Sequence, residues 1–179
     1  MKLDHEEMRI ETCYHEATHA VFDYHAGFTI RRVYVTEKLN AECVSAVPVE
    51  PYPYQALALA SGLIAAEYAV YHRLGREVRP APFEKFANEA EVVLEMRQYG
   101  EPEGEGDEGY ALEMLRIMAE SGWYGRVEDC YRLASDTAIL NLGLWWPEIV
   151  AVAERLRETR HLGGEECVGL IESADYGEE

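Results

Sequence analysis

Apolar residues recur at three- and four-residue spacing from about Glu6 to Ala26, at Tyr14, Ala17, Val21 and Tyr24, which is the signature of one buried helix face. Gly27 follows where a left-handed cap would end that helix. The pattern then changes. Phe28 to Thr36 is β-branched and aromatic and predicts a strand, and Glu42 to Val49, closed by Pro48, Pro51 and Pro53, predicts a second. A hairpin is the simplest way to join them. Tyr54 to Leu74 is apolar on most sides, as expected of a central buried helix, and Gly75 stops it. After a loop with Pro80 and Pro82 comes a predicted helix over Phe83–Gln98, and then Tyr99 to Gly106, an acidic, glycine-rich stretch that reads as a mobile loop. Asp107 stands at an N-cap position before a helix over Glu108–Glu120. Further helices are predicted over Gly125–Leu142, Pro147–Thr159 and Glu165–Glu172, with Pro147 suited to a first turn. The expected fold class is α+β, mostly α: a small sheet or hairpin beside a helical bundle.

Length allows one ordinary core, so residues 1–179 are expected to form a single domain. At 48% hydrophobic and 28% charged residues, the chain reads as globular. No apolar run is long enough for a membrane span, and the acidic N-terminus lacks the layout of a signal peptide, so the expected location is the cytoplasm. A net charge of −18 argues against nucleic acid and anionic membranes as partners, because both are bound through clustered Lys and Arg. The same charge could steer a basic peptide toward the protein. Cys13, Cys43, Cys130 and Cys167 form no C-x-x-C pair and are expected to be reduced, packed thiols.

One motif carries chemistry. His15-Glu16-Ala17-Thr18-His19 is an H-E-x-x-H sequence inside the first predicted helix. Residues four apart share a helix face, so both imidazoles can converge on one zinc ion. Glu16, one step round the turn, is placed to act as the general base of a peptidase. Two neutral imidazoles leave a divalent charge largely uncompensated, so a carboxylate third ligand is expected. Residue chemistry offers two. Glu67 lies in the most apolar helix, where a buried carboxylate would need a metal, a cation or hydrogen bonds. Asp107 begins a helix after a Gly-rich loop, although a plain N-cap is its ordinary role. On these grounds both remain open.

Four segments in order resemble the proteolytic domain of FtsH-type zinc metalloproteases. Tyr14-His15-Glu16-Ala17-Thr18-His19-Ala20 is similar to that family's H-E-A-G-H-A helix, and Ser61-Gly62 through Ala66-Glu67 to its G-x-x-A-E helix. Gly106-Asp107-Glu108-Gly109-Tyr110-Ala111 resembles the segment whose Asp is the third zinc ligand, and Thr159 to Glu166 resembles the terminal T-L-x-G-E-E stretch. The resemblance implies a zincin-like, FtsH peptidase-like fold. It makes His15, His19 and Asp107 the metal ligands and Glu16 the catalytic residue, with Glu67 in an outer-shell role or as alternative ligand. It also implies a polypeptide substrate, and either a homo-oligomer or a separate ATPase partner. Thr18 departs from the family's Gly, and the connection between Val49 and Tyr54 is shorter than the family's. No G-x-x-x-x-G-K phosphate loop occurs, so the expected substrates are flexible or unfolded chains.

The alternative expectation is a peptidase-derived module that keeps its metal for stability or regulation and does not turn over. The remaining histidines, His5, His25, His72 and His161, have no ligand-like spacing and are expected to be structural or solvated. Trp123, Trp145 and Trp146 are expected to anchor the core or an interface. Among 12 tyrosines, sequence does not single out one that could stabilise an oxyanion.

Overall fold

A computed structural model describes residues 4–48, 51–98, 106–122 and 124–176. Residues 99–105 of the acidic loop expected over Tyr99 to Gly106, Trp123, and part of the short connection at 49–50 lie outside these residues. In chain order the elements are α1 (His5–His25), β1 (Thr29–Val35), β2 (Ala41–Ala46), α2 (Pro53–Arg73), α3 (Phe83–Gln98), α4 (Asp107–Glu120), α5 (Val127–Leu144), α6 (Trp146–Thr159), β3 (His161–Gly163) and α7 (Gly164–Glu172). The protein is α+β and mostly α, as the patterning predicts. Among the described residues no helix is long and apolar enough to cross a membrane.

Helix α1 starts on a capping box in which Asp4 and Glu7 satisfy each other's backbone N–H groups. It ends through Gly27, whose φ of 80° needs a residue without a Cβ. Its apolar positions face two ways. Cys13, Tyr14, Ala17 and Val21 join β1, α6 and α7 in one core, whereas Phe22 enters a second core built from α2, α3, α4 and α5. Helix α1 is therefore the wall shared by both. It crosses α2 closely at Gly62, where a Cβ would stand 3.0 Å from the Cβ of Phe22.

The sheet holds one strand more than the expected hairpin. Its order is β2-β1-β3, with all pairs antiparallel, and a bulge interrupts β1 between Ile30 and Arg32. The three-residue β3 is too short to leave a periodic signal, and only α6 and α7 bring it to β1. Leu162 is fully buried opposite Val33. Gly164 makes this docking possible, because a Cβ there would fall 2.0 Å from the Ile30 carbonyl oxygen. Cys13, Cys130 and Cys167 are buried and unpaired, and Cys43 is partly buried.

Candidate metal centre

His15 and His19 project from α1 on the side away from its sheet-facing core. Their rings meet edge to face, with centroids 4.8 Å apart and planes at 80°, and their Nε2 atoms lie 3.2 Å apart. The four-residue spacing fixes that much locally, since it returns a side chain to the same face.

The third group arrives from far along the chain. Asp107 Oδ2 lies 2.8 Å from His15 Nε2 and 3.0 Å from His19 Nε2, across sequence separations of 92 and 88 residues. Asp107 is not the N-cap that its position in the sequence suggests. Gly106 is the N-cap and makes no side-chain cap bond, while Asp107 is the first residue of α4. Its carboxylate is thereby free to turn away from the helix end toward α1.

The donor set can be tested against an ion. Two imidazole nitrogens and one carboxylate oxygen suit zinc, and ligands at its usual bond lengths stand roughly 3.3–3.4 Å apart in a tetrahedron. The three edges here are 2.8, 3.0 and 3.2 Å. An outward movement of a few tenths of an ångström would admit the ion, and these three residues are grouped closely enough to share one. The residues fit.

Without a cation, protons must keep these groups together. Burial opposes charge on His19, but Asp107, Glu16 and Asp23 outweigh it and push its pKa up to about 9. Burial also works against the charged form of Asp107, yet His19 and His15 hold the carboxyl well below the usual range. The local electrostatics favour positive charge between these three side chains.

Glu16 is only 7% exposed. Burial raises its carboxyl above the ordinary value; His19 and His15 oppose the shift, and Asp107 adds to it. A backbone hydrogen bond from Cys43 on β2 also reaches this carboxylate, tying it to the sheet. Glu67 departs from its expected burial, because its side chain is 51% exposed. Its Oε1 lies 3.8 Å from His15 Nδ1, the ring nitrogen opposite the one facing Asp107. That is longer than a hydrogen bond, so Glu67 stands beside the ring without touching the centre.

Thr18 is fully buried and donates its hydroxyl to the Tyr14 carbonyl at 2.8 Å. The close crossing with α2 falls at Gly62. Sequence reading missed Asp23, one turn beyond His19, which accepts a hydrogen bond from Ser45 and adds negative potential at His19. The four-residue step from His19 was the available signal.

The other histidines lie elsewhere. His25 pairs with buried Glu148 at 2.6 Å and stacks on Trp145 at 4.0 Å. His5 contacts the Glu37 carbonyl at 3.1 Å, His72 packs against Trp146, and His161 opens β3. Trp145 and Trp146 pack against the cores through Phe22 and Tyr14.

No protein-family model matches the chain, and no curated protein matches it either. What defines the class is therefore its own geometry: a mostly helical α+β protein with a two-histidine, one-carboxylate cluster able to hold a divalent cation.

Proposed function

We propose that this protein is a zinc-dependent endopeptidase with an FtsH-like, zincin-type peptidase domain, acting on flexible or unfolded polypeptides. One observation carries the reading: Asp107, the first residue of α4, meets both histidines of the H-E-x-x-H helix through a single oxygen. An ordinary amphipathic helix has no reason to gather two imidazoles on one partly buried carboxylate.

His15, His19 and Asp107 would hold the ion, which when bound supplies a Lewis acid that polarises the scissile carbonyl and acidifies water. Glu16 takes a proton from the attacking water at its carboxylate oxygen and returns it to the departing amine as the C–N bond breaks. Its burial and raised pKa suit both halves of that task, because a more basic carboxylate retains the proton between the two steps. The Cys43 backbone fixes the carboxylate against the sheet, and Glu67 stands near the outer nitrogen of His15. The protein's substrates in this reading are already flexible segments, cut alone or beside an ATPase.

The test combines elemental analysis of the purified protein with degradation of an unstructured polypeptide, with and without chelator. One zinc per chain and chelator-sensitive cleavage are expected. Stoichiometric zinc with no hydrolysis of any chain would favour a metal-stabilised regulatory module. A protein that ignores zinc ends both readings.

A further inference from the structure

A cleft of about 440 Å³ opens beside the candidate ligands, between α2, α3, the first turn of α4 and the segment 76–82. Its walls are apolar and aromatic, with Leu63, Ile64, Tyr68, Phe86 and Tyr131 contributing. The hydroxyls of Tyr68 and Tyr131 in these walls are already satisfied. The Tyr131 hydroxyl donates to the Ala81 carbonyl at 3.0 Å, and the Tyr68 hydroxyl is hydrogen-bonded within the protein. Such walls favour a hydrocarbon surface.

The rim is charged, and among the described side chains its charges do not all pair. Glu77 pairs with Arg79 at 2.7 Å and Glu89 with Lys85 at 3.8 Å. Among the described side chains, no Lys or Arg pairs with Glu67 or Glu108, which line the same cleft. A bound dication would be offset by Asp107 and Glu16, so it would leave these two carboxylates uncompensated. The occupant that satisfies both features has an apolar stem and a cationic tip, as Lys and Arg side chains do. The net charge of −18 draws polypeptides of that kind toward the protein.

Resting on the peptidase reading, we propose that this cleft receives a lysine or arginine side chain of the substrate close to the cleaved bond, its stem on Leu63, Ile64 and Phe86 and its charge against Glu67 and Glu108. The enzyme thereby selects basic, unfolded segments.

Fluorogenic peptides of uncharged Gly/Ser/Ala sequence, carrying a single Lys, Leu or Glu, test this on the zinc-loaded protein. Lys peptides are expected to have the highest kcat/KM and Glu peptides the lowest, with steps of about fivefold for each partly exposed charge pair. Glu108→Gln should reduce the Lys-to-Leu ratio, and Glu108→Lys should bring Glu peptides level with or above Lys peptides. Best cleavage of Leu peptides, or a Lys-to-Glu ratio untouched by either variant, overturns the proposal while leaving the peptidase reading intact. If no peptide and no unstructured chain is cut, it is the peptidase reading that fails. Fluorescence anisotropy of the same labelled peptides then decides the cleft separately. Binding in the order Lys, Leu, Glu that Glu108→Lys reverses supports its charge preference, and charge-independent binding sinks it.

Discussion

Glu16→Gln isolates proton transfer from everything else in the site. The amide matches the carboxylate in volume, its oxygen can still accept the hydrogen bond from Cys43, and His15, His19 and Asp107 are untouched. A positioned general base contributes about 10²–10⁴ in rate. Here the upper half of that range applies, because a carboxylate only 7% exposed cannot be replaced by bulk water. Neither neighbouring carboxylate can substitute. Asp107 is held far below its ordinary pKa, and Glu67 lies on the outer nitrogen of His15. The expected loss in kcat/KM is therefore about 10³–10⁴, or roughly 4–5.5 kcal/mol in the barrier. The assay is steady-state cleavage of an unstructured fluorogenic peptide, with zinc per chain measured on the same sample. Stability supplies the control. A carboxyl whose folded pKa is raised weakens the fold as pH climbs through that value, so the neutral amide should leave the metal-free protein at pH 7 no less stable than the parent. A variant that keeps full zinc and more than about a tenth of parental activity refutes the role given to Glu16.

Asp107→Asn should weaken zinc binding by more than about a hundredfold, beyond the usual effect of removing an outer-shell partner; competition with a chelator measures it, and unchanged affinity removes Asp107 from the ligand set. Metal-free protein should lose stability as pH rises from 6.5 to about 9, because the charged form of His19 is favoured in the fold. That stabilisation is complete below the unfolded value, is lost as pH climbs through the folded one, and is on the order of 3 kcal/mol at most. Zinc should reverse the trend, since it needs the neutral ring. Thermal unfolding with chelator and with zinc reads both slopes, and a metal-free Tm that rises across that window contradicts this account of His19. Gly164→Ala should cost about 3 kcal/mol, since a Cβ 2.0 Å from the Ile30 carbonyl oxygen forces β1 and α7 apart. For a chain of this size that lowers Tm by roughly 6–12 °C in a calorimetric scan, and an unchanged Tm would mean that the docking is looser than described.

What depends on neighbours in the chain is legible in the sequence alone. Hydrophobic period places the long helices to within a residue or two, and the four-residue step from His15 to His19 puts both rings on one face of α1. These are consequences of helical geometry, in which each residue's direction is set by the one before it. Packing between distant segments decides the rest. The choice between Glu67 and Asp107 cannot be made from residue chemistry, because it turns on where the first turn of α4 lands against α1. Strand β3 is invisible in the sequence because three residues carry no period, and it exists only where α6 and α7 deliver it to β1. The cleft has no sequence signature at all, being the space left between three helices. A local pattern can orient a side chain about its own axis, but the distance between two side chains some ninety residues apart is set by the core that fills the space between them.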